Sequence, residues 1–337
     1  MKKYFFIVSL FFIACQDEKT LELPNIKEKI VVEGAIEPGF PPYVILTKNQ
    51  GYFDPIDINT YNDLFITDAN VIVWNYNENG TKDSVILKQL PPPFDSIPIY
   101  TDTNLISNPN NLMLGKSGMT YYLEIKWKNE VITSSTTIPE PTPMDCLWVE
   151  KNELVEKEFK YDIRAIFSDN ANIQNNVLIR SKRLEHWKKD TNCIVTMNHD
   201  PKLLLVDVGP DVLINGETFE VYFPRPKDDG GVSFNTYNSD HYRECYGSNS
   251  NDSVLIPKDV VLIKFCQINE PSMRFWRGLF RQFGTNGNPF SEPMNLVSNI
   301  NNGLGIWTGY GAVYYKVPIV KDTVIYQQYV PEIIDIF

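Results

Sequence analysis

Histidine is scarce. The 337 residues contain three, His186, His199 and His241. A catalytic zinc commonly draws two or three histidines at regular spacing, and no HExxH is present. The pairs His199-Asp200 and Asp240-His241 lie in polar stretches and read as surface residues. GxSxG, SxxK and Walker sequences are also missing, which removes the sequence grounds for a nucleophile elbow, a penicillin-binding-type serine or a phosphate-cradling loop. No two cysteines have CxxC spacing, so zinc-ribbon and thioredoxin-like readings fall away. Positive charge is short: 31 Lys+Arg stand against 42 Asp+Glu, a net of −11. Phosphate contacts need a basic face, so nucleic acid is not an expected partner. There is no internal repeat, no low-complexity tract and no apolar run of the roughly 20 residues that a membrane-spanning helix needs.

The longest apolar run is informative for being short. Lys2 and Lys3 precede Tyr4 to Ala14, and Cys15 follows. This reads as a secretory signal peptide over 1–14 with a lipobox, cleaved before Cys15, which then carries acyl chains in the outer-membrane bilayer. Phe12 stands where lipoboxes most often carry Leu. Loss of the leader leaves 29 Lys+Arg against 42 Asp+Glu, or −13. Gln16-Asp17-Glu18 opens a polar tether over 15–27 and is similar to the surface-export signal of Bacteroidota lipoproteins. Beyond Cys15, Cys146, Cys193, Cys245 and Cys266 are an even set in an oxidising compartment. They permit three pairings, and buried free thiols are the alternative.

Aromatic content of 13%, 23 prolines and many asparagines suit β-sheet joined by polar loops. Strand patterns run through residues 28–139. The clearest is Tyr121 to Trp127, where Tyr121, Leu123, Ile125 and Trp127 alternate with Tyr122, Glu124 and Lys126. Short strands with turn signals between them predict an immunoglobulin-like β-sandwich here. Pro91 to Gly118 reads as a long loop, and Pro139, Pro141 and Pro143 as a stiff hinge. Residues 144–337 read as a second, β-rich domain with one helix near 271–283. Pro271 suits the first helical position and Gly284 the end. Trp276, Leu279, Phe280 and Phe283 share one helical face and Arg274, Arg277 and Arg281 the other. The arginines read as a solvated face, or as a docking face for an acidic partner. The tail Pro331 to Phe337 is apolar enough to pack on a domain or a partner.

Two further clusters bear on chemistry. Asp54, Asp57, Asn59 and Asp63 offer oxygen ligands within ten residues, but the EF-hand glycine is missing and Pro55 intrudes, so no metal is assigned. Asp228-Asp229-Gly230-Gly231 reads as a turn. The aromatics in Gly303-Leu-Gly-Ile-Trp307-Thr-Gly-Tyr310-Gly311 read as core, with a sugar-stacking platform as the alternative.

Several blocks together carry a family resemblance. They are Val31-Val-Glu-Gly34 with Pro41-Pro-Tyr-Val-Ile-Leu-Thr47, then Thr137-Ile-Pro139 and Phe275-Trp276. After these come Asn288-Pro-Phe290, Val297-Ser-Asn-Ile300, Asn302-Gly-Leu-Gly305 and Gly309-Tyr-Gly311. In order and spacing the chain resembles the Bacteroidota lipoproteins grouped as domain of unknown function 4249, over nearly the whole mature length. The resemblance implies a surface-exposed outer-membrane lipoprotein, often encoded near a TonB-dependent transporter. It brings no catalytic residues and no cofactor. The expectation is a non-enzymatic accessory or ligand-capturing partner of an outer-membrane β-barrel. The alternatives are a structural subunit of an outer-membrane assembly or secretion complex, and a surface glycan or peptide hydrolase whose carboxylates meet from different strands.

Overall fold

Runs of β-branched and aromatic residues, broken by Gly, Pro and Asn, form the strands. The computed structural model describes residues 27–51, 63–90, 97–151, 161–174, 176–188, 195–199, 203–223, 242–246, 253–257, 260–285, 295–318, 324–325 and 328–331. The leader, Cys15 and the tether up to residue 26 lie outside these, as do Asp54, Asp57, Asn59, Cys193, 228–231, His241 and 332–337. The protein is mostly β.

In the first part are β1 (Ile30–Ile36), β2 (Tyr43–Lys48), β3 (Asn70–Tyr76), β4 (Lys82–Gln89), β5 (Tyr100–Thr101), a short helix α1 (Asn104–Ser107), β6 (Thr120–Trp127) and β7 (Glu130–Thr137). Next come β8 (Cys146–Lys151), β9 (Tyr161–Ser168), β10 (Asn176–Lys188), β11 (Val195–His199), β12 (Leu204–Gly209), β13 (Thr218–Phe223), β14 (Tyr242–Tyr246), β15 (Ser253–Pro257) and β16 (Val260–Ile268). Helix α2 (Glu270–Thr285), β17 (Leu304–Gly309), β18 (Gly311–Pro318) and β19 (Val324–Ile325) complete the order.

The first unit is one eight-stranded sheet in the order β17-β1-β2-β5-β4-β3-β6-β7. It curls until its ends nearly meet. Thr133 on β7 and Asn301 before β17 exchange backbone hydrogen bonds, and Ser134 Oγ donates to Asn299 O at 2.8 Å. The immunoglobulin-like sandwich expected over 28–139 is therefore corrected to a nearly closed barrel-like sheet. It is completed by a strand from far beyond the proline hinge, β17, parallel to β1. Its interior holds the alternating face read from β6, with Tyr121, Leu123, Ile125 and Trp127 all buried. Trp307 comes in from β17, fully buried, with Nε1 donating to Tyr121 O at 3.3 Å. Gly34 makes room for it, since a Cβ there would lie 2.8 Å from the indole. Gly305 faces β1 at φ +97°, where a Cβ would meet Val32 O at 1.9 Å, so only glycine serves. The stretch from Pro91 to Gly118 is not wholly loop. Its β5 bridges β2 and β4, because Tyr100 is buried and donates its hydroxyl to Ile66 O at 3.0 Å.

A second sheet runs β11-β10-β16-β18, with β12 also on β10, and a third runs β13-β9-β8-β19. β14 and β15 form a separate pair. β16 is buried on both faces. Val261, Ile263 and Phe265 pack against Leu147, Val149, Ile163 and Phe167 of the third sheet. Cys266 and Ile268 face the other way, into a cluster with Ala35, Ile306, Met273 and Trp276. That second interface joins the barrel, the middle sheet and α2.

Candidate docking site

The start of α2 is tied down by side chains. Asn269 Oδ1 accepts from Ser272 N at 3.0 Å, while its Nδ2 donates to Thr136 Oγ1 on β7 at 3.1 Å. Ser272 Oγ donates to Thr308 Oγ1 on β17 at 3.2 Å. Pro271 has no N–H to lose at this position. Met273, Phe275 and Trp276 are buried, and the Arg180 guanidinium lies 4.4 Å from the Trp276 ring centroid. Of the apolar face expected on this helix, Trp276 is buried and Leu279 half-buried, but Phe280 is 40% and Phe283 65% exposed. The reason is geometric. Phe283 lies on the stripe of Trp276 but about 10 Å further along the axis. Phe280 is rotated about 40° toward the arginines.

Those arginines do not face open solvent alone. Arg274, Arg277 and Arg281 line one wall of a cleft of about 470 Å³. The other wall includes Asn176 at the start of β10 and the turn after β12, with Asp211 and Val212. Asn176 builds that wall. Its Nδ2 donates to Ile268 O at 3.3 Å and its Oδ1 accepts from Asp211 N at 3.1 Å. Asp211 is buried, whereas Val212 and Leu213 are 81% and 72% exposed. Val297, 45% exposed, also lines the cleft.

The electrostatics are lopsided. Glu270 pairs with Arg274 one turn away. Arg277 has Met273, Arg274, Phe280 and Arg281 at its three- and four-residue neighbours, none of them acidic. Like charges at these spacings cost a helix a few tenths of a kcal/mol each. Three guanidiniums against the carboxylates of Glu270 and Asp211 make a positive site on a chain of net −11. Guanidinium forks are suited to carboxylates, which they hold by two parallel hydrogen bonds.

A second charged constellation escaped the sequence reading. Lys264 Nζ lies 2.6 Å from Glu37 Oε2, with both side chains at most 3% exposed. Tyr314 donates its hydroxyl to Glu37 at 2.9 and 3.0 Å, and the Lys264 ammonium sits 4.4 Å from the Tyr310 ring centroid. Burial, and then the Glu37 charge, hold the Tyr314 hydroxyl well above the ordinary tyrosine range. Burial also raises Tyr310, and it pushes the Cys266 thiol up to about 12. Glu37 follows β1, while Lys264 and Tyr314 are cross-strand partners on β16 and β18. The network welds the barrel to the middle sheet. Its signal was a single charge inside Val260–Ile268, a nine-residue strand otherwise uncharged. A charge in a strand buried on both faces must find a partner.

Other expected sites fare as follows. Trp307 and Tyr310 are 0% and 2% exposed, so the sugar-stacking alternative is withdrawn and the core reading stands. Cys146 and Cys266 are free thiols, contrary to a disulfide at either. Cys146 stands on β8 of the third sheet, and Cys266 points away from that sheet toward α2. Cys245 lies on β14, His186 on β10 and His199 on β11. Asp63 is the one described member of its acidic loop. Among the described residues, no group of three or more His, Cys, Asp or Glu is placed to hold a metal ion. No described helix is long and apolar enough to cross a membrane.

No curated protein matches the chain. A family model described as a domain of unknown function, DUF4249, matches residues 16–315. The matched span takes in the barrel, the α2 cleft and most of β18, so the chain belongs to the DUF4249 family.

Proposed function

We propose that this protein is a non-catalytic lipoprotein of the outer membrane, tethered through acyl chains on Cys15, and that it works by docking to an outer-membrane β-barrel such as a TonB-dependent transporter. The observation that carries the docking reading is the cleft beside α2. It is concave, positively charged on an acidic chain, and lined in part by exposed Val212 and Val297. Exposed apolar side chains gathered around a polar cleft are characteristic of interaction surfaces. Tethering to a plane raises the effective concentration of any barrel in the same membrane. An interface on the order of 1,600 Å² then suffices for a lasting complex.

Two experiments test this reading. Acyl chains contribute about 0.8 kcal/mol per buried CH₂, so Cys15→Ala should move the protein from the membrane to the soluble fraction. A variant that sediments with membranes as fully as its parent would remove the anchor. Crosslinking of intact cells, followed by purification through a C-terminal tag in gentle detergent, should recover a barrel in stoichiometric yield. Recovery of the protein alone, together with turnover of a glycan or peptide by the pure monomer, would favour the hydrolase.

A further inference from the structure

We infer that the cleft between α2 and the turn after β12 seats an extended acidic segment of the protein partner, with a carboxylate on Arg277 and an apolar side chain between Val212 and Val297. This rests on the docking reading above and names the chemistry of what is docked.

Charge complementarity favours an acidic segment. Arg274 has Glu270 one turn away, but the three- and four-residue positions around Arg277 supply no acid. An arginine flanked by like charges at this spacing disfavours the helix unless a counter-charge is brought to it. The cleft is also preorganised. Asn176 fixes the far wall from two sides, and Asn269 and Ser272 anchor the helix to β7 and β17. A rigid cleft spares a ligand part of the ordering cost of binding.

The lining of the cleft separates a polypeptide from other anions. The Asp211 and Glu270 carboxylates line the cleft among the arginines. A uniformly anionic surface offers them no hydrogen-bond donor. A peptide can instead present backbone N–H groups to carboxylates and its own acids to guanidiniums. The apolar rim points the same way. Val212 and Val297, both exposed, line the cleft, and a small anion held by a guanidinium has no apolar surface to cover them. A chain crossing the cleft covers both.

The test uses the full-length lipoprotein in native membranes. A photo-crosslinking benzoyl-phenylalanine is placed at Val212, or separately at Val297, and the adduct peptide is mapped by mass spectrometry. The expected adduct is a protein segment with several Asp or Glu. Arg277→Glu should lower its yield by roughly tenfold, since reversal adds repulsion to the lost contacts. Lys substitutions at the mapped acids should restore the yield. An unchanged unfolding midpoint of the variant shows that the loss is not misfolding. An adduct confined to lipid, an adduct peptide without acidic residues, or a yield indifferent to charge reversal would each overturn the inference while leaving a docked partner in place. Failure of the docking reading has a different signature: no protein adduct from either position and no barrel in the tagged purification.

Discussion

Lys264 and Arg277 are both cations set among apolar side chains, and their surroundings give them opposite meanings. Lys264 is almost wholly buried and completely answered, by Glu37, by the Tyr314 hydroxyl that shares Glu37 and by the Tyr310 ring face. Removing two charges from water costs several kcal/mol per ion, and close geometry with added hydrogen bonds is needed to offset it. Such a pair is a structural joint. Arg277 stands partly exposed on the wall of a cleft, with another arginine at each of its nearest basic positions and no acid on its own helix within reach. A cation answered within the fold holds the fold together, and one left facing a cleft is available to something else.

The widest gap between the two sites should appear on cutting each cation. Lys264→Met leaves Glu37 buried without its counter-ion and should cost roughly 3–5 kcal/mol in urea denaturation. Adding Glu37→Gln should recover much of that loss. Strictly additive costs would show that the two side chains do not interact. Trp276→Ala should follow closely, at about 3–5 kcal/mol, because the ring is 5% exposed. Phe283→Ala, two turns along the same stripe, should stay within about 0.5 kcal/mol. Equal costs would mean that the last turn of α2 is covered in solution.

Alkaline pH probes the buried joint more gently. Burial raises Cys266 from its ordinary 9.0 to about 12. Above pH 9 the folded chain therefore holds a proton that the unfolded chain has lost. The associated stability is complete below that pH and falls as pH rises toward 12. Tyr43, Tyr310 and Tyr314, all raised by burial, add to the fall from about pH 10. Cys266→Ala should flatten the limb between pH 9 and 10 in denaturation midpoints, and an unaltered limb would place the titration elsewhere. Arg277→Glu should produce the smallest change. Its melting temperature should hold or rise slightly, because like-charge neighbours worth a few tenths of a kcal/mol are relieved. A clear loss of stability would show that Arg277 belongs to the fold rather than to the cleft.

Much of this protein was legible from local pattern. The alternation in Tyr121–Trp127 named its buried face correctly because a strand's side chains must alternate whatever its partners are. Helix α2 was found from Pro271 and the 3.6-residue stripe, and the family from blocks spread across the chain. What local pattern could not supply was partnership at a distance. That β17 closes the first sheet, 268 residues or more from β1, depends on Gly34 and Gly305 allowing backbone and indole to approach, and no periodicity records that. Phe280 and Phe283 share a helical face with Trp276, yet burial also depends on how far the underlying layer extends. The arginine stripe was visible as a stripe, but its cleft required the turn after β12 to stand opposite, held there by Asn176. Periodicity is set by backbone geometry within one segment. Which surfaces meet, and which are left open, is decided when segments far apart in sequence exclude water from one another.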